Sequence, residues 1–370
     1  MSGLHYIRGV GDARIISRLG GRRKAAGLSQ SALAAQVGVS RQALIAIEAS
    51  RQVPSTTLSL QLARVLGCGV EDLFTLAGPE HIHARLAAGG TGSRVALGLV
   101  DGQWAAHSLS AESHLAADGL LVANTDGALV QPLVARQELE QNVLVAGCAP
   151  LLGLLASRIG RRYRDARATW VPANSHGALD LLDQGLVHVA GLHLVDDQLA
   201  DDHAAVLQRR FPGRPMAVIN LTRWRQGLVL ADGNPLGIRG AADLLRPGIR
   251  FAQREAGAGA HKLIHGLLAG QGAGIASGPV ASGHAAVARL VQWGVADAGV
   301  AIEGAALAAG LSFVPLCEER FDLIVPRDRL HHGPVVRLLE MLEQPGFVTE
   351  ASQVPGYDLS LTGQTRMVAA

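Results

Sequence analysis

The spacing of apolar residues divides the chain into three parts. Between residues 12 and 74, apolar positions recur at helical spacing in short runs that begin after Ser and end at Gly, which predicts several short helices. Residues 79–141 alternate apolar and polar positions around Asp-Gly pairs, which predicts short strands in hairpins. From residue 142, apolar runs of strand length alternate with helical patterns, which predicts parallel β-α-β units. The expected fold class is therefore α/β with an N-terminal all-α domain.

The N-terminal pattern predicts five helices, the first of them a basic amphipathic helix over residues 13–26. In the segment LSQSALAAQVGVSRQALIAIEASR, Ser29 is placed to cap a helix that Gly38 ends in a left-handed conformation, and Ser40 is placed to cap the next helix. The residues predicted to face inward from this helix pair are Leu33, Ala34, Val37, Leu44, Ile45 and Ile47. The segment therefore predicts two short helices around a tight turn.

The same region carries a family resemblance. The runs that match are GLSQ, LAAQVGVSRQAL, IE, LARVLG and EDLF, together with Pro54. They make residues 12–74 closely similar to the Cro and phage-repressor class of helix-turn-helix domains, also called XRE-like. This resemblance implies a five-helix domain that binds double-stranded DNA. From spacing alone, the alternative is a generic helical bundle.

Charge is distributed unevenly along the chain. Residues 1–78 contain nine basic and four acidic residues, a net charge of +5, whereas the whole chain carries +2 and the remainder therefore carries −3. A basic N-terminal part on a mildly acidic body favours contact with nucleic-acid phosphates at one end of the molecule only. The charge distribution thus supports DNA binding independently of the motif.

Six residues are the candidates for contact with DNA: Gln30, Ser40, Arg41, Gln42, Ile45 and Arg51. The second helix of such a pair lies in the major groove, so Arg41, Gln42 and Ile45 are expected to reach base edges, while Gln30 and Arg51 are better placed for the phosphate backbone. One helix pair reads only a few base pairs. We therefore expect a homodimer or a higher even-numbered oligomer on a palindromic operator.

Length and composition constrain the rest of the chain. With 370 residues, of which 48% are hydrophobic and 17% charged, two or three domains with sizeable cores are expected. The N-terminus shows no apolar signal core and no run of eighteen apolar residues occurs, so we expect a cytoplasmic protein. Cys68, Cys148 and Cys317 are odd in number and widely spaced, which argues against a disulfide framework or a C-x-x-C zinc site.

The changes of pattern also set the expected domain boundaries. The expected ranges are 1–78 for a DNA-binding domain, 79–141 for a small β-rich bridging segment without assigned chemistry, and 142–370 for a two-lobed α/β domain. Within that last domain, the first lobe is expected to comprise residues 142–215 and 295–350, and the second lobe residues 216–294. The apolar segment MAVINLTRWRQGLVLA is expected to cross between the lobes.

A second resemblance covers residues 142 to about 345. The runs that carry it are AGCAPLLGLLA, ALDLLDQGLVHVAGLHLVD, RQGLVLADGNPLGI, DLLRPGIRF, AGAGAHKLI, HAAVARLVQWGVADAGVAI and LSFVPL. They make this part similar to the periplasmic-binding-protein-like domain of the molybdate-binding type, which is found behind helix-turn-helix domains in bacterial regulators. The resemblance implies a two-lobed type II domain that senses a small ligand, an oxyanion such as molybdate or tungstate, and modulates operator binding.

Three loops are expected to meet in the cleft, because ligands bind at the carboxyl ends of strands in open α/β sheets. They are AGCAP, PANSHG and REAGAGAH, and each precedes a helix whose N-terminal N–H groups suit an anion. By position, the resemblance implies ligand contact at Cys148, Ser175, Gly257, Ala258, Gly259 and His284. The remaining candidates in the same loops are Asn174, His176, Arg254, Ala260 and His261.

This sequence departs from the resembled type within those loops. Regulators of that type commonly read GSGTR where residues 257–261 read Gly-Ala-Gly-Ala-His, and they commonly have an Asp at the position of Ala149 and a Gly-rich turn in place of NSHG. Two hydroxyls and a bidentate guanidinium are therefore absent, which weakens the expected oxyanion contact. A different small molecule, including an organic one near Trp170, Trp224 or Trp293, stays an open alternative.

The residues also leave metal binding and thiol chemistry open. His176, His261 and His284 with Cys148 have donor atoms suited to a soft divalent metal, but none share the short spacing typical of metal ligands, so we expect neither a metal nor a cofactor. Cys148 at a helix start suits a nucleophile or redox sensor, although an inert thiol is more common. No triad signature occurs, so we expect no enzyme. The alternative function is a cytosolic small-molecule or metal-binding protein, or an enzyme, whose N-terminal helices serve oligomerisation.

Overall fold

The chain forms two compact units, residues 1–81 and residues 82–370. The computed structural model describes residues 15–76, 81–89, 92–111, 113–124, 127–193, 203–255, 258–268 and 278–369. Within those ranges, no helix combines the length and the apolar character needed to cross a bilayer.

The first unit contains five α-helices and a two-stranded sheet within residues 15–76. In chain order the elements are β1 (Ile15–Ser17), α1 (Leu19–Ala25), α2 (Gln30–Val37), α3 (Arg41–Glu48), α4 (Thr56–Leu66), α5 (Val70–Leu73) and β2 (Phe74–Leu76). Serine side chains cap α2 and α3 as predicted, because Ser29 Oγ accepts from Ala32 N–H and Ser40 Oγ accepts from Ala43 N–H. The prediction of five helices is confirmed.

The prediction of one helix over residues 13–26 is wrong. Residues 15–17 form β1, which pairs antiparallel with β2, and the helix α1 begins only at Leu19; residues 13 and 14 lie outside the described ranges. Two β-branched residues, Ile15 and Ile16, favour the strand. The Arg18 N–H also donates to the Leu73 carbonyl at 2.7 Å. A partner that lies nearly sixty residues away in the chain therefore determines this segment.

The second unit begins with a closed five-stranded barrel. Its strands are β3 (Ile82–Leu86), β4 (Arg94–Val100), β5 (Gln103–Ser108), β6 (Gly119–Asn124) and β7 (Ala128–Pro132), in the order β3-β5-β4-β6-β7. The predicted hairpin between β4 and β5 is confirmed, with Asp101 and Gly102 both at positive φ in the turn. The closure of the barrel was not predicted, because it depends on β3 pairing with both β5 and β7.

The rest of the second unit is a ten-stranded sheet with helices packed against it. Its helices are α6 (Arg136–Glu140), α7 (Leu151–Arg162), α8 (Ser175–Asp183), α9 (His203–Arg210), α10 (Gly259–Leu267), α11 (His284–Gln292), α12 (Glu303–Ala308), α13 (Gly333–Leu342) and α14 (Pro345–Ala351). Its strands are β8 (Asn142–Gly147), β9 (Arg167–Pro172), β10 (Val189–Leu192), β11 (Met216–Leu230), β12 (Phe251–Arg254), β13 (Val280–Ala281), β14 (Ala298–Ile302), β15 (Ser312–Pro326), β16 (Tyr357–Asp358) and β17 (Thr365–Val368). The order is β13-β12-β14-β11-β15-β10-β8-β9, and β16 and β17 pair with β11.

Most of the predicted α/β elements are present. The strand β8 pairs in parallel with β9 and β10, and β12 pairs in parallel with β13 and β14, so the predicted parallel β-α-β units are confirmed. The apolar crossing segment is the single strand β11. The runs LSFVPL and ERFDLIVP, expected as two strands, form the one strand β15, because they pair along nearly the whole of β11.

Two details of the α/β region differ from expectation. The segment GAADLLRPG, predicted as an α-helix, contains only a 3₁₀ turn over Ala241–Leu245. The strand β14 pairs with β11 and β12, so its hydrogen bonds place residues 298–302 in the second half of the sheet rather than in the first lobe. The lobe boundary expected at residue 294 does not follow this pairing.

Buried polar side chains join the barrel to β8. Asn142 Nδ2 donates to the Leu97 carbonyl at 2.6 Å, and the His188 ring lies between the Leu99 carbonyl at 3.0 Å and the Leu144 N–H at 3.0 Å. His188 is 2% exposed. Because Leu144 N–H can only donate and a carbonyl can only accept, His188 is held as the tautomer with hydrogen on Nε2.

Candidate functional site

The predicted DNA-reading helix is α3. Arg41 and Gln42 are exposed in its first turn, Ile45 is half-buried one turn later, and Ser40 caps the helix. Arg51 is exposed after the helix. Arg41 and Gln42, two of the three residues expected at base edges, can therefore extend from the surface. Ile45, the third, is only partly exposed.

A buried ion pair joins α1 to the end of this helix. Arg23 Nε donates to Glu48 Oε1 at 2.6 Å, and its NH1 donates to the Leu28 carbonyl at 2.6 Å. Gln30 Nε2 donates to Glu48 Oε2 at 2.9 Å, so this side chain, predicted to contact the DNA backbone, is bonded within the domain. Burial alone would raise the pKa of Glu48, but hydrogen bonds from Arg23 and Gln30 hold it below the ordinary value.

A cluster of three side chains forms at the carboxyl ends of the strands in the second unit. Cys148 Sγ and one ring nitrogen each of His193 and His284 all lie within 4.8 Å of one another, and we call these residues the Cys148 cluster. Cys148 follows β8, His193 follows β10 and His284 begins α11. Both histidines are 3% exposed, whereas Cys148 is half-buried. The structure thus brings together the predicted Cys148 and His284 around a histidine that was not predicted.

Ser175 and Glu319 hold His193 in place. Ser175 Oγ accepts from the His193 N–H at 3.1 Å and donates to its carbonyl at 2.9 Å, so the hydroxyl predicted to contact a ligand is bonded to the protein. The His193 Nδ1 lies 3.0 Å from Glu319 Oε2, which also accepts from Trp224 Nε1 at 3.0 Å. Burial by itself lowers the pKa of His193, but Cys148 and Glu319 together raise it to about 10.

His284 presents a buried nitrogen to the cluster. Its Nδ1 lies 3.2 Å from Arg254 NH1 and 3.4 Å from the Ile302 N–H, and both of these groups can only donate. The Nδ1 atom therefore accepts, and Nε2 carries the ring hydrogen. Among the described residues, this Nε2 is buried without a hydrogen-bond partner. Burial and the Arg254 charge both lower the pKa of His284, which keeps the ring neutral.

The other predicted ligand residues divide into two groups. Gly259 begins α10 close to the cluster, since a Cβ built there would lie 3.0 Å from His193 Cε1, and the adjoining Ala258 and Ala260 are buried. Asn174 caps α8 by accepting from Gly177 N–H. His176 instead contacts Lys262, and His261 packs against His265, so neither joins the Cys148 cluster. Gly257 lies outside the described residues.

The Cys148 cluster has the donor atoms of a site for a soft metal, but the protonation of His284 does not suit one. A thiolate and two imidazoles suit zinc or copper. A ligating imidazole nitrogen must however be free of hydrogen, and the donors on His284 Nδ1 place that hydrogen on Nε2. The arrangement is better suited to a chemical group that accepts a hydrogen bond.

Sequence reasoning missed His193, Glu319 and the placement of Trp224. The run VHVAGLHLV reads as one strand, yet β10 ends at Leu192 and His193 stands at its carboxyl end, where the strand-end rule would have placed a ligand residue. Glu319 lies 126 residues from His193 within the strand β15, and no local pattern marks it. Of the tryptophans expected near an organic ligand, Trp224 borders the cluster, whereas Trp293 is 69% exposed.

A cavity of about 400 Å³ lies beside the cluster. Trp224 and Tyr357 line it, and the Trp224 ring centroid lies 5.1 Å from that of His193. Burial and the nearby Cys148 both raise the pKa of Tyr357. These two aromatic rings separate the cavity from the Cys148 cluster, and the cavity is of a size that small organic ligands occupy.

The fold and the two sites define a class of protein, a helix-turn-helix unit joined to an α/β binding domain, and comparison with known proteins agrees. The PBP superfamily domain matches residues 156–343, and the helix-turn-helix family matches residues 21–73. The chain belongs to the PBP superfamily and carries a helix-turn-helix domain ahead of it. The helix-turn-helix resemblance, the periplasmic-binding-protein-like resemblance and the expected fold class are thereby confirmed, whereas the molybdate-binding type stays a prediction.

Individual relatives cover one or the other part. The uncharacterized protein YvgK of Bacillus subtilis (strain 168) is 28% identical over 254 residues, which are 65% of this chain and 82% of the relative. An uncharacterized HTH-type transcriptional regulator of Methanothermobacter thermautotrophicus is 49% identical over 55 residues, 15% of this chain and 80% of the relative. The structure of an ABC-type phosphate transport receptor from Vibrio cholerae is similar at 12% identity and a TM-score of 0.42, over 58% of this chain and 98% of that one.

Proposed function

We propose that the protein is a transcriptional regulator that binds operator DNA through α3 and changes its operator affinity when a small ligand enters the Cys148 cluster. One observation carries the proposal. The same chain joins a helix with exposed Arg41 and Gln42 to a buried site where His284 Nε2 has no partner among the described residues. A buried N–H without an acceptor is costly, and a bound ligand would supply that acceptor.

The ligand is inferred to be a small molecule with a hydrogen-bond acceptor. An oxyanion such as molybdate or tungstate meets this requirement and agrees with the family resemblance. The residues Ala258, Gly259 and Ala260 offer no side-chain donors, however, so backbone N–H groups at the start of α10 would have to hold it. The cavity on the other side of Trp224 and Tyr357 is large enough for a small organic molecule, so an organic ligand is the alternative. Molybdate is therefore a first probe rather than the assigned ligand.

Gln42→Ala is expected to relax sequence preference at one operator position by about 1–3 kcal/mol, because an exposed amide at the start of a reading helix suits a bidentate contact with adenine. Operators are first selected from random duplexes with the full-length protein, and a palindrome among them would fit the proposed dimer. Affinities of variant and parent are then measured on the selected operator and on single-base variants.

Two further variants serve as controls for this measurement. Gln36→Ala removes another exposed amide, from α2, and should leave sequence preference unchanged. Arg51→Ala should weaken binding to all sequences by a similar factor, since a phosphate contact carries no base information. Equal losses on cognate and random DNA for Gln42→Ala would contradict the assignment of this side chain to a base edge.

Ser175→Ala is expected to remove the response of operator binding to ligand while leaving the ligand-free affinity nearly unchanged. The hydroxyl holds the main chain of His193, so its loss should displace the ring from the cluster. In the parent, ligand and operator affinities should be coupled about 5–150-fold, because a ligand between loops of both halves of the sheet favours a closed form.

The coupling is measured as the operator Kd of the full-length protein with and without molybdate, and with and without any small molecule that native mass spectrometry finds retained on purification. Ser157→Ala, exposed on α7, is the matched control and should respond like the parent. If Ser175→Ala also responds like the parent, the Cys148 cluster is not the sensing site.

A further inference from the structure

We propose that Cys148 is a nucleophile that takes up a soft electrophile, an activated alkene such as an α,β-unsaturated carbonyl compound, with His193 as its base. The proposed chemical step depends only on the residues of the Cys148 cluster and their contacts. Only its effect on operator binding rests on the proposed function.

The first support is the alignment of three groups. Glu319 Oε2 accepts from His193 Nδ1 at 3.0 Å, and a ring nitrogen of His193 lies within 4.8 Å of Cys148 Sγ. Since Nδ1 faces Glu319, the other nitrogen, Nε2, is the one that meets the thiol. A nucleophile, a base and a carboxylate that orients the base are thus brought together from β8, β10 and β15.

The second support is the buried N–H of His284. Arg254 and the Ile302 N–H fix the ring hydrogen on Nε2, which is buried without a partner among the described residues in a side chain that belongs to the cluster. This donor is placed to stabilise negative charge that develops on the sulfur or on an attached oxygen. The same fixed hydrogen disfavours a metal ion at this position.

The third support is access. Cys148 is half-buried rather than enclosed, so its side chain keeps an open side from which a small electrophile can approach. The positive groups around the sulfur are His193 and Arg254, and the negative group is Glu319. The neutral side chains His284 and Tyr357 complete its titratable surroundings.

The reaction balances without an oxidant or a leaving group. The proton shared by Cys148 and His193 resides on His193 Nε2, in agreement with the raised pKa of that ring, and the Sγ atom bonds as a thiolate to the β-carbon of the alkene. The π electrons of the C=C bond move toward the carbonyl oxygen, which forms an enolate beside the His284 N–H. The proton on His193 then passes to the α-carbon, so the product is a thioether and His193 is left neutral.

The test uses N-ethylmaleimide, an activated alkene, on the native full-length protein. Peptide mass spectrometry follows the rate at each cysteine. Cys68 and Cys317 are internal controls because they are half-buried like Cys148. Cys148 is expected to react on the order of tenfold faster or more than either control, because general-base assistance typically exceeds that factor. Equal rates at the three cysteines would overturn the proposal.

Variants separate the roles within the cluster. His193→Gln should remove the rate advantage of Cys148, and Glu319→Gln, a change at a positioning residue, should move the midpoint of its pH–rate profile. His176→Gln, near the start of α8 but outside the cluster, should change neither. An unchanged rate and pH profile in His193→Gln would overturn the assignment of the base.

Two more measurements complete the test. Stoichiometric Co²⁺ binding with a thiolate charge-transfer band that is lost in both Cys148→Ser and His284→Gln would overturn the proposal in favour of a metal site. If the modified protein binds the selected operator as the unmodified protein does, despite fast reaction at Cys148, the chemistry stands and the proposed regulatory function fails.

Discussion

Replacing Glu48 with Ala is expected to destabilise the N-terminal unit by about 3 kcal/mol, which is typical of breaking a buried ion pair. Arg23 is 7% exposed, and without the carboxylate its guanidinium keeps only the Leu28 carbonyl as an acceptor. Gln30 loses its acceptor as well. Operator binding should fall with the folded fraction. Amide hydrogen exchange in α2 and α3 of the full-length protein measures the change.

Arg22→Ala is the matched control for this experiment. Arg22 pairs with Asp72 at 2.8 Å, but its side chain is 51% exposed, and an exposed pair contributes only about 0–1 kcal/mol. Exchange protection in α2 and α3 should therefore stay close to that of the parent. Similar protection in Glu48→Ala and Arg22→Ala would show that the buried pair does not stabilise the unit.

Acidification is expected to destabilise the second unit through His188. Burial, more than any other cause, lowers the pKa of this histidine to about 3 from 6.5. Between these two values the unfolded chain binds a proton that the folded chain does not. Stability contributed by neutral His188 is therefore fully present above pH 6.5 and is lost as the pH falls toward 3, by up to about 1.4 kcal/mol per pH unit.

Tryptophan fluorescence in urea can measure this pH dependence. All four tryptophans, Trp104, Trp170, Trp224 and Trp293, belong to the second unit, so their emission reports on that unit alone. His188→Gln should lower stability at neutral pH and flatten its dependence between pH 6.5 and 4. His83→Gln makes the same chemical change at an exposed site on β3 and should keep the slope of the parent. Parallel slopes in the parent and His188→Gln would refute the role of His188.

The features predicted well from the sequence are those that neighbouring residues determine. Ser29, Gly38 and Ser40 mark the ends of α2 and α3 because caps act within one helical turn. The segment 15–17 was misassigned because its strand depends on β2, about sixty residues further along the chain. Contacts of that kind leave no local signature, and the closure of the barrel was missed for the same reason.

The candidate site shows the same limit. Cys148 and His284 could be placed because each stands where a strand or loop leads into a helix. The role of His193 depends on Glu319, which the ladder between β11 and β15 and the pairing of β10 with β15 bring beside it. The ring N–H of His284, which has no acceptor in the described part of the chain, depends in turn on Arg254 and the backbone of Ile302. The sequence contains these residues, but only the assembled sheet specifies their tautomers.

The hydrogen bonds between the barrel and β8 matter for the transfer of the α/β domain into another protein. A chimera cut at residue 142 would retain β8 but remove the Leu97 and Leu99 carbonyls, which accept from the buried Asn142 and His188 side chains. The Asn142 and His188 donors would then lose their acceptors and face water at the edge that the barrel covers in this protein. A graft intended to keep this sheet intact should start near residue 82, so that the barrel is transferred together with the sheet it stabilises.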